Sequence, residues 1–345
     1  MKFQNRRLTA LAAATLVASL GLTACGGDDG DSGDGGSGDG DAMSITFLPK
    51  NLGNPYFDTS DAGGQKAVEA FGGTFEEVGP DTGTPDAQVP FINTAAQQGV
   101  SALVVSANDP TAICDALNEA REGAGVKVVT FDSDTDPECR DLYVNQADAA
   151  GIAKVQVDMI AEQIGDEGEV AILSAAANAT NQNEWIGLME EEIAANHPGI
   201  TLVDTVYGDD DDQTSFDKTA ALLQSHPDLK GIISPTTVGI SAAARYLSTS
   251  DAKGTVALTG LGTPNQMREF VKDGTVTEFA LWNPADLGYL AAYAAKALVD
   301  GDITGAEGDT FTAGDLGEYT VGENSVVLLG EPFRFNAENI DDFDF

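Results

Sequence analysis

From Ser44 onward, short runs rich in β-branched and aromatic residues return about every 25 to 30 positions, and this spacing is what most restricts the fold. The runs cover 45–48, 74–78, 103–106, 126–131, 170–173, 202–207, 231–234, 256–260 and 276–281. Helical stripes lie between most of them. In 212–225 Phe216, Ala220 and Leu223 share one face, and in 284–300 Leu287, Leu290, Ala291, Ala294 and Leu298 do the same. Strand, helix and strand in such long succession predict α/β architecture with parallel sheets covered on both faces. About 300 residues carry the pattern, enough for two domains with separate cores.

Ligands of open parallel sheets sit beyond the carboxyl ends of the strands, so the residues that follow each run form a first set of site candidates. They are Pro49-Lys50-Asn51, Asn108-Asp109, Asp132-Ser133-Asp134, the stretch 178–182, Pro235-Thr236-Thr237, Gly262-Thr263 and Trp282-Asn283. Amides, hydroxyls, one Lys and a few carboxylates beside aromatic rings suit a polyhydroxylated ligand, whose C–H faces pack on rings. Taken singly, each residue reads equally well as loop or cap chemistry.

Most catalytic chemistry is missing. The two histidines, His197 and His226, each precede a proline at the expected end of a helix and read as structural, which leaves no nucleophilic triad and no His-rich zinc site. No phosphate-cradling glycine motif follows a strand. The run Asp132 to Asp136 starts like a calcium loop but has Pro137 at its sixth position and Tyr143 at its twelfth. Asp209 to Asp212 reads as a solvated turn opening the next helix. No catalytic residue, metal or cofactor is expected. A carboxylate pair for glycoside hydrolysis is the one enzyme reading that spacing leaves open.

At the N-terminus Lys2, Arg6 and Arg7 precede an apolar run over 8–22, which ends in the lipobox Leu22-Thr23-Ala24-Cys25. This reads as a lipoprotein signal (1–25) with Cys25 as the lipidated residue. Residues 26–42 hold only Gly, Asp, Ser and one Ala and read as a disordered tether. Cleavage would remove three of the 17 basic residues and none of the 56 acidic ones, moving the net charge from −39 to about −42. Such a charge excludes nucleic acid as a partner and disfavours anionic ligands. Cys114 and Cys139 form an isolated pair in an exported chain and are expected to be bridged, a constraint worth about 3 kcal/mol.

The segments Leu48-Pro49-Lys50-Asn51-Leu52-Gly53-Asn54-Pro55-Tyr56-Phe57, Val105 to Pro110, Phe131 to Asp134, Val144-Asn145-Gln146, Thr180 to Trp185 and Phe335 to Ile340 together resemble the type I periplasmic binding proteins for sugars. The resemblance is strongest to the branch of ABC importers with rhamnose-binding and autoinducer-2-binding proteins. It implies two doubly wound parallel-sheet lobes joined by a three-segment hinge and closing on the ligand. Crossings near 147, 282 and 306 would place 43–147 with 283–306 in lobe one, and 148–282 with 307–345 in lobe two. It further implies a monomer that hands its ligand to a membrane permease from the outer face of the cytoplasmic membrane.

Carried over to this chain, the family's contacts fall on Lys50, Asp132, Asn181, Gln182, Pro235 and Thr237, with Tyr56, Phe57 and Trp282 as rings. Asn54 and Trp185, from the matching segments, and Asp109, from the strand-end set, complete the expected site. The autoinducer-2 branch has Asp where this chain has Asn181 and Ala where it has Thr237. L-rhamnose or a related deoxy sugar is therefore the expected ligand. An autoinducer-2-binding or sugar-sensing receptor is the alternative.

Overall fold

The computed structural model describes residues 42–345; the expected signal, Cys25 and nearly all of the tether lie outside them. In chain order, lobe one begins with β1 (Ser44–Leu48), α1 (Pro55–Ala70), β2 (Thr74–Glu77), α2 (Val89–Gln98), β3 (Ala102–Val105), α3 (Cys114–Asn118), β4 (Lys127–Phe131) and β5 (Leu142–Asn145). Lobe two follows with α4 (Ala149–Ile164), β6 (Gly168–Ser174), α5 (Thr180–Asn196), β7 (Ile200–Tyr207), α6 (Asp212–Ser225), β8 (Leu229–Ser234), α7 (Thr237–Ser248), β9 (Ala257–Gly260), α8 (Pro264–Lys272) and β10 (Glu278–Leu281). The chain then returns to lobe one with α9 (Pro284–Asp300), β11 (Thr310–Thr312), β12 (Glu318–Thr320) and β13 (Val326–Leu328), and ends in lobe two with β14 (Phe333–Asn336).

The first sheet runs β13-β5-β4-β3-β1-β2 and every pairing in it is parallel. Its strands alternate between two apolar layers, as the side-chain period of two requires. Leu48, Leu103, Val105 and Val128 pack with Ile92, Ile113 and Leu117. Phe47, Val104 and Val129 turn to the opposite face, toward α1 and α9. Those two helices approach so closely that a Cβ on Gly288 would strike the Ser60 carbonyl, and one on Gly63 the Ala285 carbonyl. This contact fixes α1, and α1 carries site residues in its first turn. Asn54 accepts from the Tyr56 N–H at 3.1 Å as N-cap, and Pro55 opens the helix. In the other layer Cys114 and Cys139 are joined by a disulfide, with Cα atoms 5.2 Å apart.

The second sheet, β7-β6-β8-β9, is parallel as well. β10 adjoins it through the Leu261–Ala280 bridge, and β14 pairs antiparallel with β10. α4 and α5 cover one face while α6 and α7 cover the other.

The expected assignment of 307–345 to lobe two needs correction. β13 pairs in parallel with β5, Val327 opposite Val144, and the Leu329 N–H donates to the Asn145 carbonyl at 2.8 Å. The chain therefore stays in lobe one through residue 329, and the third crossing falls between 330 and 332. β13 is three residues long and lies at a sheet edge, too short to show a period.

Both histidines close helices. His197 follows α5 and pairs with Asp166 at 2.7 Å; His226 follows α6 with Asp204 at 3.5 Å.

Candidate binding site

A narrow cavity opens between the lobes at the carboxyl ends of both sheets, where ligands of such sheets sit. Lobe one supplies Lys50, which follows β1; Asn54, Tyr56 and Phe57 from the start of α1; and Asp132, which follows β4. Lobe two brings Asn181, Gln182 and Trp185 from the start of α5, Pro235 and Thr236 between β8 and α7, and Thr237 at the first position of α7. Trp282 lies on the second crossing.

Asp132 is the hub. It is buried, and its backbone sits in the left-handed region at φ 60°, a conformation that Asp tolerates better than most residues and that turns its carboxylate away from the strand. One oxygen accepts from the Tyr56 hydroxyl at 3.0 Å and the other from the Ser106 hydroxyl at 2.8 Å. The Lys50 ammonium stands 3.7 Å from the second oxygen. Tyr56 in turn accepts from the Trp282 indole N–H at 2.9 Å. Burial first, and then the Asp132 charge, push the Tyr56 phenol well above its usual pKa, so it remains a donor to the carboxylate.

Hydrogen bonds join the lobes across this hub. The Lys50 ammonium donates to Asn181 Oδ1 at 3.0 Å, Asn181 Nδ2 donates to the Asp132 carbonyl at 3.3 Å, and Asn178 Nδ2 donates to the Asn108 carbonyl at 3.0 Å. Gln182 Oε1 accepts from the Ser174 hydroxyl and the Ala175 N–H, both at 2.8 Å, which leaves its amide N–H groups to offer. The rings form an apolar wall. Tyr56 stands edge-on to Phe57 at 5.1 Å and to Trp282 at 6.2 Å, and Trp185 meets Trp282 at 6.1 Å. Rings beside a carboxylate, an ammonium and amides suit a molecule with a C–H face and several hydroxyls.

The structure gathers every expected ligand residue around this cavity except Asp109. That carboxylate instead accepts from the backbone N–H groups of Thr111 and Ala112, both at 2.9 Å, as the half-buried hub of a turn. The reading of Asp209 to Asp212 as a solvated turn also fails in part. Asp211 caps α6 by accepting from the Thr214 N–H at 2.7 Å, while Asp210 turns inward and lines the cavity, as do Thr236, Leu261 and Leu281. Leu261 directly follows β9 and Leu281 ends β10, and the strand-end rule would have found both had it been applied one residue earlier.

Two α/β lobes, three crossings and a polar cavity between strand ends define a two-lobed solute receptor. A family model described as the periplasmic binding protein domain matches residues 45–303, and the chain belongs to that family. It is 38% identical to an ABC transporter solute-binding protein from Clostridium phytofermentas solved with bound L-rhamnose, over 87% of this chain and 98% of that one, with a TM-score of 0.84. A crystal structure of a sugar ABC transporter from Actinomyces odontolyticus is 58% identical over 88% and 98% of the two chains, TM-score 0.72. LsrB from Clostridium saccharobutylicum in complex with AI-2 is 28% identical over 88% and 100%, TM-score 0.82. Among the described residues, no helix is long and apolar enough to cross a membrane.

Proposed function

We propose that this chain is the extracytoplasmic, lipid-anchored solute-binding protein of an ABC importer, and that it carries a neutral sugar, L-rhamnose or a related deoxy sugar, to its permease. The observation that carries the reading is the Asp132 hub set against the Tyr56, Phe57, Trp185 and Trp282 rings, with donors from both lobes. A carboxylate can accept from two adjacent hydroxyls, and the rings cover the sugar's C–H face. Similarity to the rhamnose-bound protein at 38% identity supports the sugar class. The AI-2 complex, similar over its full length, keeps autoinducer-2 as the second reading.

The test is a thermal-shift panel of pentoses, hexoses, deoxyhexoses and autoinducer-2. A ligand at 100 times its Kd adds about 2.7 kcal/mol, on the order of 5 °C for a domain of this size. L-rhamnose or a close relative is expected to give the largest shift and to be recovered unchanged, and a flat response to every sugar would refute the assignment.

The anchor has its own test. Cys25→Ala is expected to leave unprocessed or soluble protein on membrane fractionation, whereas normal cleavage with continued membrane attachment would disprove lipidation at this residue.

A further inference from the structure

Asp210 lies on the turn between β7 and α6, in a run of four aspartates whose other members face outward or cap a helix. Its placement is built rather than incidental. Asp209 and Asp210 both adopt left-handed backbone, at φ 54° and 51°, a pair of conformations that costs free energy in any residue with a Cβ. The turn is pinned to the end of β6, where the Gly208 N–H donates to the Ser174 carbonyl and the Asp209 N–H to the Ala175 carbonyl. Those same two residues hold the Gln182 amide. Thr236, at the N-cap position of α7, makes no cap bond and instead donates its hydroxyl to Asp210 Oδ1 at 2.5 Å.

The charges around the cavity do not balance. Its lining holds one ammonium, Lys50, and two carboxylates, Asp132 and Asp210. Lys50 is already engaged by Asp132 and Asn181. Asp210 therefore faces the cavity with one oxygen committed to Thr236 and no cation of its own.

We infer that Asp210 is a specificity-determining ligand contact: its second carboxylate oxygen accepts a hydroxyl proton of the bound sugar from the side opposite Asp132. The inference deepens the sugar-binding reading and rests on it. Two acceptor carboxylates on opposite sides of the cavity require a ligand with hydroxyl donors at both edges, and they reject anionic solutes. Burial, above all, raises the Asp210 pKa, with Asp132 and Asp209 adding to the shift and Thr236 and Lys50 opposing it. A hydroxyl donor favours the ionised form, so ligand binding lowers that pKa. Affinity is then full above the free protein's Asp210 pKa and falls as pH drops through it.

Calorimetry with L-rhamnose, or with whichever panel sugar gives the largest thermal shift, tests this from pH 4 to pH 8. Asp210→Asn, which keeps the shape and the Thr236 contact, is expected to weaken binding about tenfold at pH 7 and to remove the part of the affinity loss at low pH that the wild type shows. Asp210→Ala is expected to weaken it further, and Thr236→Val, acting through the position of Asp210, to cost less. Variants that bind as the wild type does, or an Asp210→Asn variant with an unchanged pH profile, would overturn the role of Asp210 while leaving the sugar reading intact. A wild type silent toward every sugar would take both down. Melting temperatures without ligand check that each variant is folded.

Discussion

Asp132→Ala is expected to weaken ligand binding by a hundredfold or more while the protein remains folded. The carboxylate accepts from Tyr56 and Ser106 and stands beside Lys50, so it is held in one orientation before a ligand arrives. Hydrogen bonds from a ligand to a charged group contribute about 1.5 to 3 kcal/mol each, and two hydroxyls can share this one. Losing two such bonds costs at least about 3 kcal/mol, more than two decades in Kd. The substitution also leaves the buried Tyr56 and Ser106 hydroxyls without their acceptor and the Lys50 ammonium, which keeps Asn181, without its counter-charge, which adds to the penalty. Ala further strains the left-handed backbone at this position, by roughly 1 kcal/mol. Asp132→Asn separates the two effects, because Asn tolerates that backbone and keeps one acceptor oxygen. It should lose less affinity and melt close to the wild type. Calorimetry on both variants decides the matter, and full affinity in a folded Asp132→Ala protein would move the anchor elsewhere.

Much of the architecture was legible because parallel strands buried on both faces are written as apolar runs at regular intervals. The strand ends then point to the cleft with no further information, which is how Lys50, Asp132 and Pro235 are found. What escaped has physical causes. β5 and β13 are short and leave no period to detect, and the third crossing is misplaced with them. Asp210 was hidden by composition: four consecutive aspartates look like a solvated turn, and only the left-handed backbone at Asp209 and Asp210 turns one of them inward. Asp109 shows the opposite error. It follows a strand as the rule requires, but a side chain that accepts from two N–H groups of its own turn is already spent.

Exchanging two residues should move the ligand preference, and the geometry at Asn181 supplies the reason. Asn181 is amphoteric in this site: Oδ1 accepts from the Lys50 ammonium and the Gln182 N–H, while Nδ2 donates to the Asp132 carbonyl across the cleft. Asn181→Asp would retain the acceptor, replace the donor by a second charge facing a carbonyl, and draw Lys50 away from Asp132. A hydroxyl pattern matched to the amide then meets the wrong partners, and the site's own polar groups are left unpaired. Thr237 opens α7 with its side chain almost fully buried at the cavity, so Thr237→Ala adds room for a methyl group and removes a hydroxyl that a ligand must otherwise satisfy. The unmodified protein is expected to bind L-rhamnose or a close relative at least tenfold more tightly than autoinducer-2. Asn181→Asp alone should weaken rhamnose binding by about tenfold, a loss of about 1.4 kcal/mol. Combined with Thr237→Ala, it should narrow or reverse the gap. Titration calorimetry of the wild type and both variants against the two ligands measures all three expectations, and tight autoinducer-2 binding by the wild type with no heat from rhamnose would reject the deoxy-sugar assignment while leaving the two-lobed fold untouched.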